Sequence, residues 1–395
     1  MSNKLQNSLA ITARIWYNLV IKTDARKTAF SAKGWDETMD KMFSLAKAYE
    51  KYFKIGAAVA SHNIAGYSDV LSQHFNSITP ENEMKYSETE PEEGKFTFDK
   101  ADVIFGTARK MGIKVRAHAP VWHNQTGEWM YKDGDKPAPP ELICERIAAH
   151  SKAICERYNN DVYAWDVVNE ACRDDAPAAD SGESTIYRDS EYFKLCGTSF
   201  IEAAFRAMDK YSPDAQLFYN DYNECVPEKR ERIIALIQNL KDKGCRIDGF
   251  GMQQHYFVKP DYDELKRSIE AYSSLGLRIH ITELDISLMA TVNDGEKRLK
   301  PGDPGFKEYI SEVMRPTPEK LAEIGNIYTK LFEVYRSYSD VIDCVTTWGV
   351  ADDYTWLDHF GTNEDMPKIK QYPLLFDEEH KPKPCVSELI GAAGK

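Results

Sequence analysis

Short apolar runs alternate along the chain with longer amphipathic stretches. Runs such as IHITELDIS (279–287) are rich in β-branched residues, as buried strands are. We predict eight strands, at 55–60, 76–79, 113–118, 163–168, 216–220, 249–253, 278–283 and 342–348. Helical patterns lie between them, for example at 139–158, 227–244 and 318–338, and prolines mark the starts of the first two. This repeated strand–helix unit predicts an α/β fold, the (β/α)8 TIM barrel.

The chain is expected to form one domain with long loops after its strands. Three polar connections, at 124–140, 173–190 and 293–316, each follow a predicted strand. In a barrel such loops lie on the catalytic rim and decide which substrates reach the centre. We therefore divide the chain into a helical N-terminal extension packed on the barrel, 1–50, and a catalytic barrel, 51–395.

The first residues and the cysteines both bear on location. Ile11, Ile15 and Leu19 recur at a spacing of four, as on one face of a helix, and Arg14 interrupts any apolar core that a signal peptide would need. The eight cysteines are scattered and form no Cys-x-x-Cys pair, which is typical of free thiols in a reducing compartment. We expect a cytoplasmic protein, or a secreted one if a leader precedes the given sequence.

Charge and composition exclude several classes of partner. A formal net charge of −13 argues against a surface for nucleic acid or anionic membrane, whereas an aromatic content of 12% suits a sugar-binding cleft.

His118 and His123 are five residues apart, not in the His-x-His spacing of metal-dependent barrels. We expect no metal, no cofactor, no nucleic-acid partner and no membrane partner, and the oligomeric state stays open.

Polar residues collect at the same ends of the predicted strands. Glu170 ends the fourth strand and Glu283 ends the seventh, 113 positions later. The carboxyl ends of all strands in a barrel meet at one mouth, so these two side chains are expected to face each other. The other candidates at these ends are Glu81, Asn82, Lys85, His118, Trp122, Asn169, Tyr222, Asn223, Gln253, His255, Asp285, Trp348 and Trp356.

Two facing carboxylates in an aromatic cleft suit glycoside hydrolysis. One carboxyl group protonates the departing oxygen, and the other attacks the anomeric carbon or activates water. A separation of roughly 5–5.5 Å gives retention of configuration and one of about 6.5–9.5 Å gives inversion. The sequence leaves this separation open.

Six separated motifs resemble glycoside hydrolase family 10, the retaining endo-β-1,4-xylanases. The motifs ITPENEMK, DVVNEA, NDYN, QQHY, ITELD and TTWGVADDYTWL occur in the order and spacing of that family, over residues 53–384. The chain departs from the family pattern at Ala117 and Pro120, where glycine and leucine are usual. These two positions leave open the shape of the wall below Trp122.

The resemblance implies a role for each candidate. Glu170 would be the general acid and base, and Glu283 the nucleophile. Asn169 would bind the 2-hydroxyl of the sugar being cleaved, and His255 would bridge Glu283 and Asp285. The remaining candidates would bind substrate: Asn82, Lys85, His118, Trp122 and Gln253 on the donor side, Trp348 and Trp356 as walls, Tyr222 and Asn223 toward the acceptor sugars, and Glu81 with no side assigned.

Two other functions stay open beside a xylanase. The first is activity on β-1,4-glucan or mixed substrates, which only the shape of the pocket near the sugar's C5 substituent would separate. The second is a catalytically dead carbohydrate-binding barrel, which the presence of both glutamates disfavours. A cytoplasmic enzyme would meet imported xylo-oligosaccharides, not polymeric xylan.

Overall fold

Eight parallel strands form a closed barrel. The structure is a computed structural model that describes residues 43–175, 182–292, 299, 303–359 and 369–394. The barrel strands are β1 (Lys54–Val59), β2 (Ser77–Pro80), β3 (Lys114–Trp122), β4 (Val162–Asn169), β5 (Gln216–Asp221), β6 (Gly249–Met252), β7 (Arg278–Ile286) and β8 (Ile342–Thr347). Neighbours in sequence are neighbours in the sheet, and β8 pairs with both β1 and β7. The predicted TIM barrel is confirmed.

The main difference from the predicted strands is that β3 and β7 are longer. We ended them at His118 and Glu283, two polar residues assigned to the site, but β3 continues to Trp122 and β7 to Ile286. After a register shift β3 pairs again with β4, with Trp122 opposite Asn169. Backbone hydrogen bonds hold a ladder together whatever the side chains are, so polarity at a barrel mouth marks the site and not the strand end.

Helices connect the strands and cover the barrel. They are α1 (Leu45–Tyr49), α2 (Ser68–His74), α3 (Tyr86–Thr89), α4 (Asp99–Met111), α5 (Pro140–Tyr158), α6 (Glu191–Cys196), α7 (Ser199–Tyr211), α8 (Pro227–Asp242), α9 (Tyr262–Ser273), α10 (Phe306–Val313), α11 (Pro318–Ser337) and α12 (Pro384–Ala393). Proline occupies the first turn of α5, α8 and α11, where its missing N–H has no helical partner to lose. α5 and α8 therefore begin where the prolines indicated, and α11 also begins at a proline, Pro318.

The first and last described helices pack together on the barrel. The Tyr49 hydroxyl of α1 donates a hydrogen bond to the carbonyl oxygen of Leu389 in α12, at 3.0 Å. Residues 1–42 of the predicted extension lie outside the described residues, so the division at residue 50 stays a prediction. Among the described helices, none is long and apolar enough to cross a membrane.

The inner face of the barrel carries a buried charge pair below the mouth. Arg116 of β3 donates through both terminal nitrogens to the carboxylate of Asp166 on β4, and both side chains are fully buried. Arg116 Nε also donates to His280 Nδ1 at 3.2 Å. A buried ion pair is tolerated only when its hydrogen bonds are made, as they are here. The pair forms a rigid polar floor beneath the site.

The long loops rise from the mouth of the barrel. The loop after β3 contains a short 3-10 helix, Glu128–Tyr131, and a small hairpin that pairs Lys132–Asp133 with Lys136–Pro137. Parts of the other two predicted loops, 176–181, 293–298 and 300–302, lie outside the described residues. The described portions follow β4 and β7, at the expected end of the barrel.

Candidate active site

The structure brings the predicted site residues together at the mouth. Fourteen of the fifteen line a cavity of about 550 Å³, and Asp285 lies beside His255, one of those fourteen. The fourteen are Glu81, Asn82, Lys85, His118, Trp122, Asn169, Glu170, Tyr222, Asn223, Gln253, His255, Glu283, Trp348 and Trp356. They come from the carboxyl ends of different strands or from the loops that follow, which is where barrel enzymes carry their sites.

Glu170 stands directly after β4 in a left-handed backbone conformation, with φ of +57°. Its N–H donates to the carbonyl oxygen of Asn220 at 2.9 Å. Its half-buried carboxylate accepts from Trp122 Nε1 at 2.9 Å, Gln253 Nε2 at 3.0 Å and Asn169 Nδ2 at 3.1 Å. Every one of these side-chain donors is uncharged.

Glu283 lies within β7 and is only 5% exposed. Asn220 Nδ2 donates to its Oε1 at 2.7 Å, and His255 Nε2 lies 3.2 Å from its Oε2. Burial acts to raise the pKa of Glu283, but the hydrogen bond from His255 and the nearby histidine charges lower that pKa to about 2. Glu283 is therefore a charged carboxylate at neutral pH in spite of its burial.

His255 is held between two carboxylates. Its Nε2 faces Glu283, and its Nδ1 lies 3.0 Å from Asp285 Oδ1. Burial alone would lower its pKa, but the charges of Asp285 and Glu283 raise the pKa of His255 to about 10. Trp356 Nε1 donates to the other oxygen of Asp285 at 2.6 Å. The group is thus an imidazolium clamped between carboxylates, which keeps Glu283 ionised and fixes its orientation.

A chain of amides links the two glutamates. Gln253 Nε2 donates to Glu170 and also to Asn169 Oδ1, at 3.2 Å, and Asn220 Nδ2 donates to Asn169 Oδ1 at 2.9 Å and to Glu283. Asn169 and Asn220 are direct partners in the pairing of β4 with β5. Strand register therefore sets the relative position of the two carboxyl groups.

Asn220 is a site residue that our sequence analysis missed. Its side chain is fully buried, and its Oδ1 accepts from the Thr282 hydroxyl at 2.7 Å, so that its amide nitrogen points at Glu283. Gly251 leaves room for it, since a Cβ there would come within 2.1 Å of Asn220 Oδ1. The available signal was an amide inside the NDYN motif at the end of an otherwise apolar strand.

The donor-side residues surround a buried lysine. Lys85 Nζ donates to Asn82 Oδ1 at 2.9 Å and lies 4.5 Å above the Trp122 ring. Burial lowers the pKa of Lys85 and raises that of the neighbouring Glu81 to about 7, with Lys85 opposing the rise. His118 Nδ1 bonds to Asp166 at 2.9 Å, which turns its other nitrogen away from the barrel floor. These groups offer donors and acceptors suited to sugar hydroxyls.

The cavity has two further lining residues that the sequence analysis did not select, Gln125 and Phe257. Gln125 Nε2 donates to Asn82 Oδ1 at 3.3 Å, and the Phe257 ring meets Trp356 edge-on at a centroid distance of 6.3 Å. Gln125 lies in the loop after β3, and Phe257 directly follows a short strand, His255–Tyr256. Neither lies in one of the six motifs that guided the prediction.

The structure places His118 and His123, the histidines considered for a metal site, beside different partners. Within the described ranges, no group of three or more histidine, cysteine or acidic residues is placed to hold a metal ion. His118 pairs with Asp166, whereas burial lowers the pKa of His123 to about 4, with Arg188 adding to the effect. The two histidines therefore have separate surroundings.

Comparison with known proteins agrees with this geometry. The family model described as glycosyl hydrolase family 10 matches residues 44–392. The endo-1,4-beta-xylanase A of Caldicellulosiruptor saccharolyticus is 41% identical over 88% of this chain and 95% of that protein. The endo-1,4-beta-xylanase of Geobacillus stearothermophilus is 41% identical over 88% of this chain and 98% of that protein.

Solved structures show the same relationship. The endo-1,4-beta-xylanase from Caldicellulosiruptor owensensis is 40% identical with a TM-score of 0.76, covering 88% of this chain and 99% of that one. A mutant structure in complex with xylotriose is 40% identical with a TM-score of 0.75, over the same shares. The fold and the paired carboxylates define a barrel glycoside hydrolase. The chain belongs to glycosyl hydrolase family 10.

Proposed function

We propose that the protein is a retaining endo-1,4-β-xylanase in which Glu283 is the nucleophile and Glu170 the general acid and base. The observation that carries the proposal is the contrast between the two carboxyl groups of one cavity: Glu283 is ionised by His255, and Glu170 is bound by neutral donors only. An attacking group has to stay charged, while the acid must gain and lose a proton. The relatives named as xylanases support the choice of polysaccharide.

The reaction follows in two steps. Glu283 forms a bond to the anomeric carbon as the bond from that carbon to the departing oxygen breaks, and Glu170 gives its proton to that oxygen. Water then attacks the same carbon, Glu170 takes a proton from it, and the bond to Glu283 breaks. Two inversions restore the original configuration.

Asn169 is oriented to assist at the sugar's 2-hydroxyl. Its Oδ1 accepts from Gln253 and Asn220, so its amide nitrogen faces the cleft, where it already reaches Glu170. An amide nitrogen carries two hydrogens, which leaves one for the substrate. A hydrogen bond to the 2-hydroxyl strengthens as positive charge develops in the transition state.

A covalent trap tests the assignment. A 2-deoxy-2-fluoro-xylobioside with a dinitrophenyl leaving group should label the protein once, and peptide mapping should place the label on Glu283. Proton NMR of xylotetraose hydrolysis should show the β-anomer first. A label on another residue would overturn the nucleophile, and an α-anomer appearing first would overturn retention. Cleavage of β-1,4-glucan as fast as xylan would favour the glucanase alternative.

We also propose a cytoplasmic location and short substrates. The eight cysteines, all within described residues, are unpaired, and six of them are buried, which suits a reducing compartment. The test is the initial rate on xylotetraose beside soluble xylan at equal bond concentration, together with fractionation of the source cells. Preference for the polymer, or recovery of the protein outside the cells, would reject the proposal.

A further inference from the structure

A charged cluster stands behind the acid–base glutamate, outside the set of residues that touch the reacting atoms. Arg188, in the connection after β4, donates from Nε to the carbonyl oxygen of Glu170 at 2.8 Å. Its Nη2 donates to the Tyr222 hydroxyl at 2.9 Å. One side chain thus binds both the backbone of Glu170 and a wall residue of the cavity.

The backbone of Glu170 needs such support. A side-chain-bearing residue at φ of +57° occupies a sparsely populated conformation, which persists only where its surroundings impose it. Asn220 binds the N–H of Glu170, and Arg188 binds its carbonyl oxygen. The two contacts fix the peptide groups on either side of the Glu170 side chain and so fix the direction of its carboxyl group.

Arg188 is itself anchored by neighbouring charges. Its Nη2 lies 3.3 Å from Asp174 Oδ2, and the Lys229 ammonium donates to Asp174 Oδ1 at 3.0 Å. Lys229 Nζ also lies 3.1 Å from Asp221, a buried carboxylate at the end of β5. The Arg188 side chain is 22% exposed and Lys229 only 1%. Lys229 therefore ties the loop after β4 to β5; its pair with Asp221 is fully buried, and Asp174 on the loop side is 36% exposed.

We propose that Arg188 is a positioning residue for proton transfer. By holding the backbone of Glu170 it places the carboxyl group where the departing oxygen and, later, the attacking water will stand. Through Tyr222 it couples that placement to the wall of the cleft. The inference rests on the proposed function, because it assumes that Glu170 is the acid and base. It predicts damage confined to the steps in which a proton moves.

Leaving-group dependence tests this directly. Dinitrophenolate departs without protonation, whereas phenolate and a sugar alcohol require an acid. For Arg188→Met we expect kcat/KM to fall about 10²-fold on phenyl β-xylobioside and on xylotetraose, within the range for general acid–base catalysis. On dinitrophenyl β-xylobioside kcat/KM, which reports formation of the glycosyl-enzyme, should change by less than about 3-fold. Added azide, which needs no general base, should raise kcat on that substrate.

Arg232→Met is the matched control. Arg232 Nη1 donates to the carbonyl oxygen of Asp174 at 2.7 Å, so it binds the same loop at a different point. Its replacement should leave the ratio of the two aryl substrates unchanged. Arg188→Lys keeps the positive charge but carries it on a single nitrogen. It should recover part of the loss on phenyl β-xylobioside.

Two outcomes would overturn the proposal. Equal losses on both aryl substrates in Arg188→Met would indicate general damage to the site, and unchanged activity on both would show that Glu170 does not depend on Arg188. An inactive wild-type protein on every xyloside would instead refute the proposed function. The two failures are therefore distinguishable.

Discussion

The two glutamates that we propose as catalytic are held in opposite ways. Glu283 sits inside a strand, is almost fully buried, and is bound by a histidine that carries a positive charge. Glu170 sits just past a strand, is half-buried, and is bound by indole and amide N–H groups. A fixed charge needs a charged partner and a rigid element. A group that exchanges protons needs neutral partners, which serve either state without a large electrostatic change.

Removing Glu283, the proposed nucleophile, should give the largest effect. Glu283→Ala is expected to lower kcat/KM by roughly 10⁵–10⁶-fold on every xyloside, including the dinitrophenyl substrate, since no covalent intermediate can form. Steady-state rates on phenyl and dinitrophenyl β-xylobioside measure this loss. If azide restores turnover, the product should be the α-glycosyl azide, because attack then occurs once and directly. A β-azide would reject the role of Glu283.

Removing Glu170, the proposed acid and base, should give a selective loss. Glu170→Ala is expected to lower kcat/KM by about 10²–10⁴-fold on xylotetraose and on phenyl β-xylobioside. The dinitrophenyl substrate should be spared in kcat/KM, and azide should yield the β-glycosyl azide from the intermediate on Glu283. Equal loss on both aryl substrates would remove the distinction drawn between the two glutamates.

Removing the charged partner of Glu283 should move the acid limb of the pH profile. In His255→Gln, Glu283 loses the hydrogen bond and the charge of His255 and keeps the weaker help of His118 and Asn220, so the pKa of Glu283 should rise and the limb should shift upward by about 1–3 pH units. The profile of kcat/KM on dinitrophenyl β-xylobioside measures this shift. The control His62→Gln replaces an exposed histidine and should leave the limb in place. An unmoved limb in His255→Gln would mean that the charge of Glu283 has another source.

The pair of His255 and Glu283 should make the stability of the fold depend on pH in two separate pH ranges. The folded pKa of His255, about 10, lies above its ordinary value of 6.5, so its stabilisation is complete below pH 6.5 and is lost as pH rises through 10. The folded pKa of Glu283, about 2, lies below 4.5, so its contribution is complete above pH 4.5 and is lost as pH falls through 2. The Tm difference between wild type and His255→Gln should be largest at pH 4.5–6.5 and shrink toward pH 10. A difference that stays constant to pH 10 would contradict this.

The amide bridge of Asn220 between Glu170 and Glu283 should be sensitive to one added methyl group at Gly251. In Gly251→Ala the new Cβ would meet Asn220 Oδ1 at 2.1 Å and Thr282 Cγ2 at 2.9 Å, so the amide between the glutamates must move. We expect a loss of about 1–3 kcal/mol in the free energy of unfolding and a lower kcat. Urea denaturation and rates on xylotetraose measure both.

Gly106→Ala is the control for that change. Gly106 stands inside α4 with nothing within 4 Å of an added Cβ, so alanine should stabilise the helix by about 0.5–1 kcal/mol and leave kcat unchanged. Wild-type stability and kcat in Gly251→Ala would show that Asn220 does not need its observed position.

The sequence by itself determined the barrel and most of the cavity. Strand and helix periodicities are local, and a closed parallel barrel brings every strand end to one mouth, so Glu170 and Glu283 could be placed together from their positions alone. The resemblance to a family added roles for the neighbours. Fourteen of the fifteen predicted residues line one cavity for this reason.

Only the tertiary structure decided how the carboxyl groups are held. The bridge through Asn220 depends on the register of β4 against β5 and on the distance from Asn220 to the hydroxyl of Thr282, and the sequence alone gives neither. The resemblance already implied that His255 bridges Glu283 and Asp285, but the distances that set its charge depend on the pairing of two strands, and the contact of Arg188 depends on the path of a loop. The spacing of apolar residues along a helix or strand indicates which of its faces is buried. Hydrogen bonds between buried polar groups are set by ångström-scale distances between elements, which arise only once the barrel has closed.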